Sequence, residues 1–317
     1  MSQLSIREKT VLVGGLPEPV GGVTTFLSRL LRANLTKVSA FVDLYPASKK
    51  SIPKGFGGQM FVSMSRVGAY FGLLQCLFLY RGGYNYLFNF SRLRSLILFL
   101  MLPKFSGCRW ELILHHGDIA SGLHPLLARF ILSRFDHVYA IGEGQMESYK
   151  GFGVQSANFS KISTYVPATI SKVGVETAIE FVETVNKNFK CLIVASGFPR
   201  ALYRHDLAVR LVEQSTDRYL ALFLYGDGEL AEKYKTLVHP QIKVFWNEPE
   251  DVFNFVLGHS SLYVRPTLKD SFGIACADAI SFGVPVVASD VCQRANGVIT
   301  FPVDDEKAFF NISNQRV

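Results

Sequence analysis

The sequence predicts an α/β protein made of two Rossmann-like domains, each built on a parallel sheet. Short apolar runs alternate with amphipathic stretches along the chain, which is the pattern of parallel α/β architectures. The alternation starts afresh near Cys191, and 317 residues are enough for two domains with a core each. We therefore expect an N-terminal domain over residues 1–167 and a C-terminal domain over 168–317, with their sheets facing a cleft.

The first half opens with a strand, a glycine-rich turn and a helix. Residues 11–13 are apolar, glycines stand at 14, 15, 21 and 22, and apolar residues recur at helical spacing over 23–31. Later apolar runs indicate further strands of the same sheet. They lie at 40–44, 86–89, 111–115, 138–141 and 161–166.

The second half repeats the alternation, after a boundary between 167 and about 188. Helices are expected over 207–214 and 249–257, where apolar residues recur at helical spacing. The strands of the second sheet are expected at 191–195, 220–225, 243–246 and 261–264. Near the end, residues 307–311 have a helical pattern.

Composition indicates a globular chain in a reducing compartment. Hydrophobic residues make up 49% and charged residues 19%, which argues against disorder. The five cysteines are odd in number and irregularly spaced, which argues against a disulfide framework and a zinc site. The N-terminal apolar run is too short for a signal peptide. These observations favour a cytoplasmic protein.

The net charge of +7 suits an anionic partner. Nucleic acid, an anionic membrane surface and a phosphorylated small molecule all fit that charge. The cations are spread out and no nucleic-acid-binding motif is present, so no nucleic acid is expected. Residues 67–103 are dense in apolar side chains but too short and too often interrupted by arginine to span a membrane. They are either helices that flank the sheet or an interfacial face.

The segment 264–289 carries the most specific motif. It reads as a strand, a polar loop with Asp270, a glycine at position 273, a helix with Asp278, and a second buried strand. A glycine and unpaired backbone N–H groups at a helix start receive phosphates. The two carboxylates are eight positions apart, so one segment can contact two ends of an extended ligand.

This segment resembles that of the retaining glycosyltransferases of family 4, which have a glutamate pair at this separation. The first glutamate is followed there by Gly-Phe-Gly; here the order is Asp270, Ser271, Phe272, Gly273 and Ile274. The resemblance implies that Asp270 is catalytic and holds donor-sugar hydroxyls, that Asp278 holds the ribose, and that the residues between them line the donor site. Both acids are one methylene shorter than in the family. The resemblance also implies the GT-B architecture for most of the chain. The family usually has a C-terminal helix that crosses back to the first domain, and this helix is expected to be short or missing here because only 307–311 hints at it.

Two glycines open the first predicted helix. Gly21 and Gly22 allow close approach of a ligand and supply N–H donors, although their spacing is wrong for a dinucleotide fingerprint. The run Pro-Val-Gly-Gly-Val is similar to the family's Pro-x-x-Gly-Gly-Val loop. The resemblance implies that this loop caps the donor phosphates.

A histidine pair follows the strand that ends near residue 114, at the edge where open α/β sheets place their sites. A packed or solvated pair is the alternative, and no metal spacing accompanies it. The resemblance implies that one histidine lies near the transferred sugar, and we take His116 over His115 as catalytic. Glu143, at the start of the next helix, is expected to act as a cap.

Cations are expected beside the donor phosphates, because charge on the leaving group grows as the glycosidic bond breaks. The family uses an Arg and a Lys after the first strand of the second domain. Here Arg200 and Arg204 occupy that loop, while Phe198 stands where the family has its Arg. Arg265 is a third candidate, because an Arg-Pro-Thr run occurs at that point in some bacterial polysaccharide enzymes of the family.

These features predict a retaining, metal-independent glycosyltransferase of surface polysaccharide biosynthesis. It would need no cofactor and would move a sugar from a nucleotide-diphosphate sugar, of UDP or GDP type, to a saccharide or polyprenyl-linked acceptor. Peripheral contact with the cytoplasmic face of the inner membrane is a further expectation. Two alternatives stay open: a nucleotide-sugar epimerase or phosphorylase of the same fold, and a non-catalytic partner subunit.

Overall fold

The computed structural model describes residues 2–17, 21–46, 52–53, 55–116, 119, 122–270 and 272–317. The chain divides into two compact units, 1–166 and 167–317. Each unit is a parallel sheet with helices on both faces, so the predicted fold class is confirmed.

The first unit has eight strands in the order β1-β8-β7-β6-β5-β2-β3-β4, and all described pairs are parallel. The strands are β1 (Ser2–Gln3), β2 (Thr10–Gly14), β3 (Val38–Asp43), β4 (Gln59–Phe61), β5 (Asn85–Phe90), β6 (Arg109–Leu114), β7 (His137–Ala140) and β8 (Phe159–Ser163). The helices are α1 (Gly22–Ala33), α2 (Arg66–Leu79), α3 (Pro125–Leu132) and α4 (Glu143–Gly151), with 3-10 helices at Leu93–Met101 and Ser156–Asn158.

The second unit has six parallel strands in the order β11-β10-β9-β12-β13-β14. They are β9 (Cys191–Gly197), β10 (Arg218–Leu224), β11 (Ile242–Trp246), β12 (Leu262–Arg265), β13 (Val286–Ser289) and β14 (Ile299–Phe301). The helices are α5 (Glu176–Asn188), α6 (His205–Glu213), α7 (Ala231–Lys235), α8 (Glu250–Gly258), α9 (Ile274–Ser281) and α10 (Glu306–Asn314), with a 3-10 helix at Ala201–Tyr203.

The central strands are apolar on both sides because helices cover both faces of each sheet. In β2, Val11 and Val13 face one core of the first unit, while Leu12 faces the other. In β9, Val194 and Ile193 are divided in the same way between the two cores of the second unit. A continuous apolar run in the sequence therefore indicates a strand buried on two faces.

Each sheet has a point where the strand order reverses, between β2 and β5 in the first unit and between β9 and β12 in the second. Open α/β sheets bind ligands beyond the carboxyl ends of the strands at such points. The loops that follow these strands are therefore where a site is expected in each unit.

Two helices of the second unit extend beyond what the sequence pattern indicated. Helix α5 lies within the region 167 to about 188 where the boundary was predicted, and its Phe181, Val182 and Val185 pack into the core of the second unit. The C-terminal helical pattern at 307–311 belongs to the longer helix α10. Asp305 caps α10 through the backbone N–H of Ala308, at 2.9 Å, and Phe309 is fully buried.

Candidate active site

Asp270 lies at the carboxyl edge of the second sheet, between two arginines. Its Oδ2 accepts a hydrogen bond from Arg265 Nε at 2.5 Å and another from Arg294 Nη1 at 2.7 Å. Arg265 ends β12, whereas Arg294 comes from the loop that follows β13. Two neighbouring strands of the sheet therefore supply the cations that hold one carboxylate from both sides.

The electrostatics of this cluster keep Asp270 ionised. Burial acts to raise the pKa of Asp270, but the charges and hydrogen bonds of Arg265 and Arg294 outweigh it and lower the pKa to about 2. The pKa of Arg265 is raised well above its usual value by the neighbouring acidic groups, against the effect of its burial. The three side chains together carry one net positive charge, which suits an anionic ligand.

Further contacts with neighbouring residues of the second unit fix the Arg265 side chain. Its Nη1 lies 3.3 Å from the carbonyl oxygen of Ser196 and 3.5 Å from the Tyr263 hydroxyl. The hydroxyls of Ser196 and Tyr263 are 2.8 Å apart and share a hydrogen bond. The guanidinium also lies 5.5 Å from the centre of the Tyr203 ring, a cation–π contact. These contacts set its position without a ligand.

Arg294 is the functional candidate that sequence reasoning missed. Only 3% of its side chain is exposed, and its Nε donates to the carbonyl oxygen of Ser289 at 3.1 Å. It follows Asp270 by 24 positions, in a stretch without a motif, so no local spacing rule connects the two residues. The one sequence signal for Arg294 was its position as a single cation shortly after a buried strand.

Gly273 has a steric reason to be glycine. Its φ is +78°, a conformation that L side chains avoid, and it precedes helix α9. A Cβ atom at this position would lie 2.6 Å from Arg294 Nη1 and 3.1 Å from Asp270 Oδ2. Glycine therefore lets the ion cluster pack against the start of the helix.

The remaining predicted residues of this segment lie on or near α9. Asp278 is only 1% exposed, and its carbonyl oxygen accepts a hydrogen bond from Ser281 Oγ at 2.7 Å. Phe272 and Ile274 are half-buried beside Gly273. Ser271, the remaining donor-site candidate, lies outside the described residues. The structure therefore keeps Asp278 in the helix, behind the helix start rather than on the open surface.

The two arginines of the loop after β9 are held in different ways. Arg200 is exposed and stacks over the Phe198 ring, with 5.4 Å from the guanidinium carbon to the ring centre. Arg204 is largely buried and forms ion pairs with Asp206, Asp304 and Glu306. These pairs tie α6 to the start of α10, and the contact of Arg204 with donor phosphates stays a prediction.

In the first unit, His116 follows the end of β6. Its Nε2 lies 3.1 Å from Arg92 Nη2, and a guanidinium only donates, so this nitrogen accepts the hydrogen bond. The carbonyl oxygen of His116 accepts from Gln145 Nε2 at 2.8 Å. The backbone at His116 is thus held from α4, while the ring meets a cation from the end of β5.

The side chain of His115 is packed inside the first unit and does not face a ligand. Its Nε2 lies 3.2 Å from Asn89 Oδ1, and its ring centre is 5.2 Å from that of Phe26. Burial lowers the pKa of His115 to about 3. The ring is therefore neutral at physiological pH and donates to Asn89, which agrees with the preference for His116 as the histidine available to a ligand.

The glycine-rich turn of the first unit leads into an open helix start. Gly21 precedes α1 and its N–H donates to Thr24 Oγ1 at 2.9 Å, while no acidic residue stands in the first turn. Gly22 is exposed, and a Cβ on Gly21 would meet nothing within 4 Å. The fully buried Asp43 accepts hydrogen bonds from the backbone N–H groups of Leu16 and Tyr45, and thereby fixes the start of this loop.

Gln145 is a second residue that sequence reasoning missed. It is buried, its Oε1 accepts from the N–H of Ile141 at 2.8 Å, and its Nε2 donates to the carbonyl oxygens of Leu114 and His116.

The predicted cap at Glu143 is wrong: Gly142 is the N-cap of α4, and Glu143 forms an ion pair with Lys161 instead. Within the described ranges, no group of three or more His, Cys, Asp and Glu side chains could hold a metal ion.

Comparisons with known structures define the class of fold. HepE from Anabaena in complex with UDP-glucose has a TM-score of 0.67 at 11% identity, over 96% of this chain and 89% of that one. An α,α-trehalose-phosphate synthase (UDP-forming) from Burkholderia xenovorans has a TM-score of 0.65 at 11% identity, over 97% and 92%. WaaG, a glycosyltransferase involved in lipopolysaccharide biosynthesis, has 0.60 at 13%, over 97% and 90%. The chain has the GT-B fold.

A family model matches most of the second unit. Residues 190–314 match the family described as glycosyl transferases group 1. This range contains Arg265, Asp270, Asp278 and Arg294, so the whole ion cluster lies in the part of the chain that is similar to this family. Comparison with curated protein sequences finds no match for the chain.

Proposed function

We propose that the protein is a glycosyltransferase that moves a sugar from a nucleotide-diphosphate sugar to a saccharide or lipid-linked acceptor. The observation that carries this proposal is the cluster of Arg265, Asp270 and Arg294 at the strand-order reversal of the second unit, in the part of the chain that is similar to the group 1 family. Its net positive charge and the adjacent start of α9 favour a phosphate-bearing ligand. The UDP and UDP-glucose complexes of HepE support a nucleotide sugar as the donor.

The donor residues have distinct proposed roles. Arg200, which is exposed at the end of β9, contacts the diphosphate, and the N–H groups that follow Gly273 share its charge. Arg265 and Arg294 hold Asp270 as an anion, so that it accepts hydrogen bonds from donor-sugar hydroxyls. Asp278, within α9, is the residue proposed to bind the ribose.

The reaction proposed is a transfer with retention of configuration and without a metal. As the glycosidic bond to the leaving phosphate breaks, negative charge grows on the diphosphate and the nearby cations stabilise it. The acceptor hydroxyl attacks from the same face, forms the new glycosidic bond and gives its proton to the leaving phosphate oxygen. In the first unit, His116 is the residue proposed to contact a sugar, and it is held by Arg92 and by the hydrogen bond from Gln145.

The first unit takes the acceptor, and its Gly21–Gly22 loop is the part of this unit proposed to bind a phosphate group. The open start of α1 supports this role, because backbone N–H groups at a helix N-terminus attract anions. The likeness to WaaG supports a place in cytoplasmic assembly of a surface polysaccharide.

A ligand screen followed by product analysis tests the proposal. A ligand that binds only the native state raises its stability, so one nucleotide sugar among UDP, GDP, ADP and CMP donors should raise the melting temperature. The radiolabelled form of that donor should then give a new glycosidic linkage with the donor's anomeric configuration. An epimerised sugar or a sugar phosphate as product would show an epimerase or phosphorylase, and no response to any donor would indicate a non-catalytic subunit.

A further inference from the structure

Helix α2 is apolar on two faces, of which the core covers one. Leu73 and Leu77 pack into the core of the first unit. On another face, Val67, Phe71 and Phe78 follow one another at helical spacing and are exposed, with 62% of Phe71 accessible. A helix that is apolar all round is normally buried or in contact with lipid. The outer face of α2 therefore needs an explanation beyond the packing of the sheet.

Two neighbouring elements continue this exposed apolar surface. The 3-10 helix Leu93–Met101 buries Leu93, Leu96 and Phe99 but exposes Ile97, Leu98 and Met101, the last by 82%. Its Leu98 carbonyl oxygen accepts a hydrogen bond from the Tyr70 hydroxyl of α2 at 3.4 Å. Helix α3 packs against the same 3-10 helix and exposes Leu126 and Phe130. We call the exposed apolar residues of these three elements, together with Arg66, Arg94 and Arg129, the apolar basic face.

The charge pattern of this region is one-sided. Residues 44–110 contain nine Lys and Arg residues and no Asp or Glu, although the whole chain has 26 acids. Arg66 at the start of α2 and Arg94 in the 3-10 helix belong to this stretch, and Arg129 lies in α3. All three are exposed, and the part of the chain that the structure describes gives them no carboxylate partner.

We infer that the apolar basic face docks the first unit on an anionic lipid bilayer. Apolar side chains enter the boundary between headgroups and acyl chains, and the arginines meet the lipid phosphates. A second copy of the chain is the other possible occupant, but it would bring the same cations to the contact without any acid to balance them. No helix among the described residues is long and apolar enough to cross a membrane, so the protein would lie on the surface.

The apolar basic face is directly connected to the strand-end histidine. Arg92, whose guanidinium contacts His116, immediately precedes the 3-10 helix, and the N–H of Leu93 donates to the carbonyl oxygen of Ile119 at 3.0 Å. Given the proposed transferase function, docking through this face would bring a lipid-linked acceptor to the His116 side of the first unit.

Vesicle co-sedimentation of the full chain tests the docking. We expect binding to vesicles of phosphatidylcholine that contain about one third phosphatidylglycerol, an anionic lipid. Binding to vesicles of phosphatidylcholine alone should be weak. The triple variant Phe71→Ser, Leu98→Ser, Met101→Ser should reduce binding about tenfold or more. Changing Arg66, Arg94 and Arg129 to Gln should reduce it about a hundredfold, and most strongly at low salt.

The second unit offers a matched control. Val173, Val238 and Val303 are also exposed apolar residues, and their change to Ser should leave vesicle binding unchanged. Circular dichroism and the melting temperature verify that each variant folds, and the arginine variant preserves the test if the apolar one does not fold. Equal binding to both kinds of vesicle, no binding, or a dimer that only the apolar triple variant dissociates would overturn the docking inference. The donor-induced rise in melting temperature, measured without vesicles, reports on the transferase proposal separately.

Discussion

The carboxyl edges of the two sheets differ in how their polar groups are held. In the second unit, Asp270 is fixed by two arginines that are themselves anchored to neighbouring strands. In the first unit, the backbone of His116 accepts from Gln145 and its ring contacts the partly exposed Arg92. Charge fixed in advance costs no reorganisation when a charged ligand binds. The difference is consistent with the proposed function, in which the second unit binds the donor and the first unit takes the acceptor.

The largest effect should come from breaking the buried ion cluster. Arg294→Met removes one of the two arginines that hold the buried Asp270, which should lower the free energy of unfolding by about 3 kcal/mol. Arg92→Met removes a partly exposed contact in the first unit and should cost at most about 1 kcal/mol. Urea denaturation of both variants measures the difference. Equal losses would mean that the two edges are held in the same way.

Acid should weaken the second unit through the same cluster. The pKa of Asp270 is lowered to about 2 in the folded protein from 3.8, so the folded state binds this proton less readily than the unfolded state. Its stabilisation is complete above pH 4 and is lost as the pH falls toward 2. The advantage of the wild type over Asp270→Asn should therefore shrink by about 2 to 3 kcal/mol between pH 5 and pH 2. An advantage that stays constant over this range would show that Arg265 and Arg294 do not stabilise the anion.

A pair of glycine variants separates backbone strain from the packing of the cluster. Gly273 and Gly283 both have positive φ, of +78° and +80°, so alanine at either should cost about 1 to 2 kcal/mol. A Cβ at Gly283 meets nothing within 4 Å, whereas at Gly273 it meets Arg294 and Asp270. Gly273→Ala should therefore also weaken binding of the donor, as measured by calorimetry, and Gly283→Ala should not. Unchanged donor binding in Gly273→Ala would separate the cluster from the donor site.

The fold could be predicted from the sequence because both units contain local sequence patterns that indicate it. Buried strands such as β2 and β9 are continuous apolar runs, and a glycine follows each near the sheet edge. Sequence reasoning placed Asp270 and Gly273 on the strand-end loop and helix start where the structure has them. It did not find Arg294, because that contact joins residues far apart in sequence across neighbouring strands.

One expectation was wrong because of a distant neighbour. Glu143 was expected to cap α4, but Gly142 is the N-cap and Glu143 pairs with Lys161, 18 positions away. The carboxylates beside Arg204 are equally invisible in the local sequence, because Asp304 and Glu306 follow it by 100 and 102 positions.

Calorimetric titration with the nucleoside diphosphate of the responsive donor tests the central claim most directly. Arg200 and Arg210 make a matched pair, since each guanidinium stacks over a phenylalanine ring in the second unit, at 5.4 Å and 5.0 Å. Only Arg200 lies in the loop at the proposed donor site. A charge-assisted hydrogen bond contributes about 1.5 to 3 kcal/mol, so Arg200→Ala should weaken binding about tenfold or more while Arg210→Ala leaves it unchanged. Equal dissociation constants for the wild type and Arg200→Ala, or no binding to the wild type, would contradict the donor site proposed at this edge.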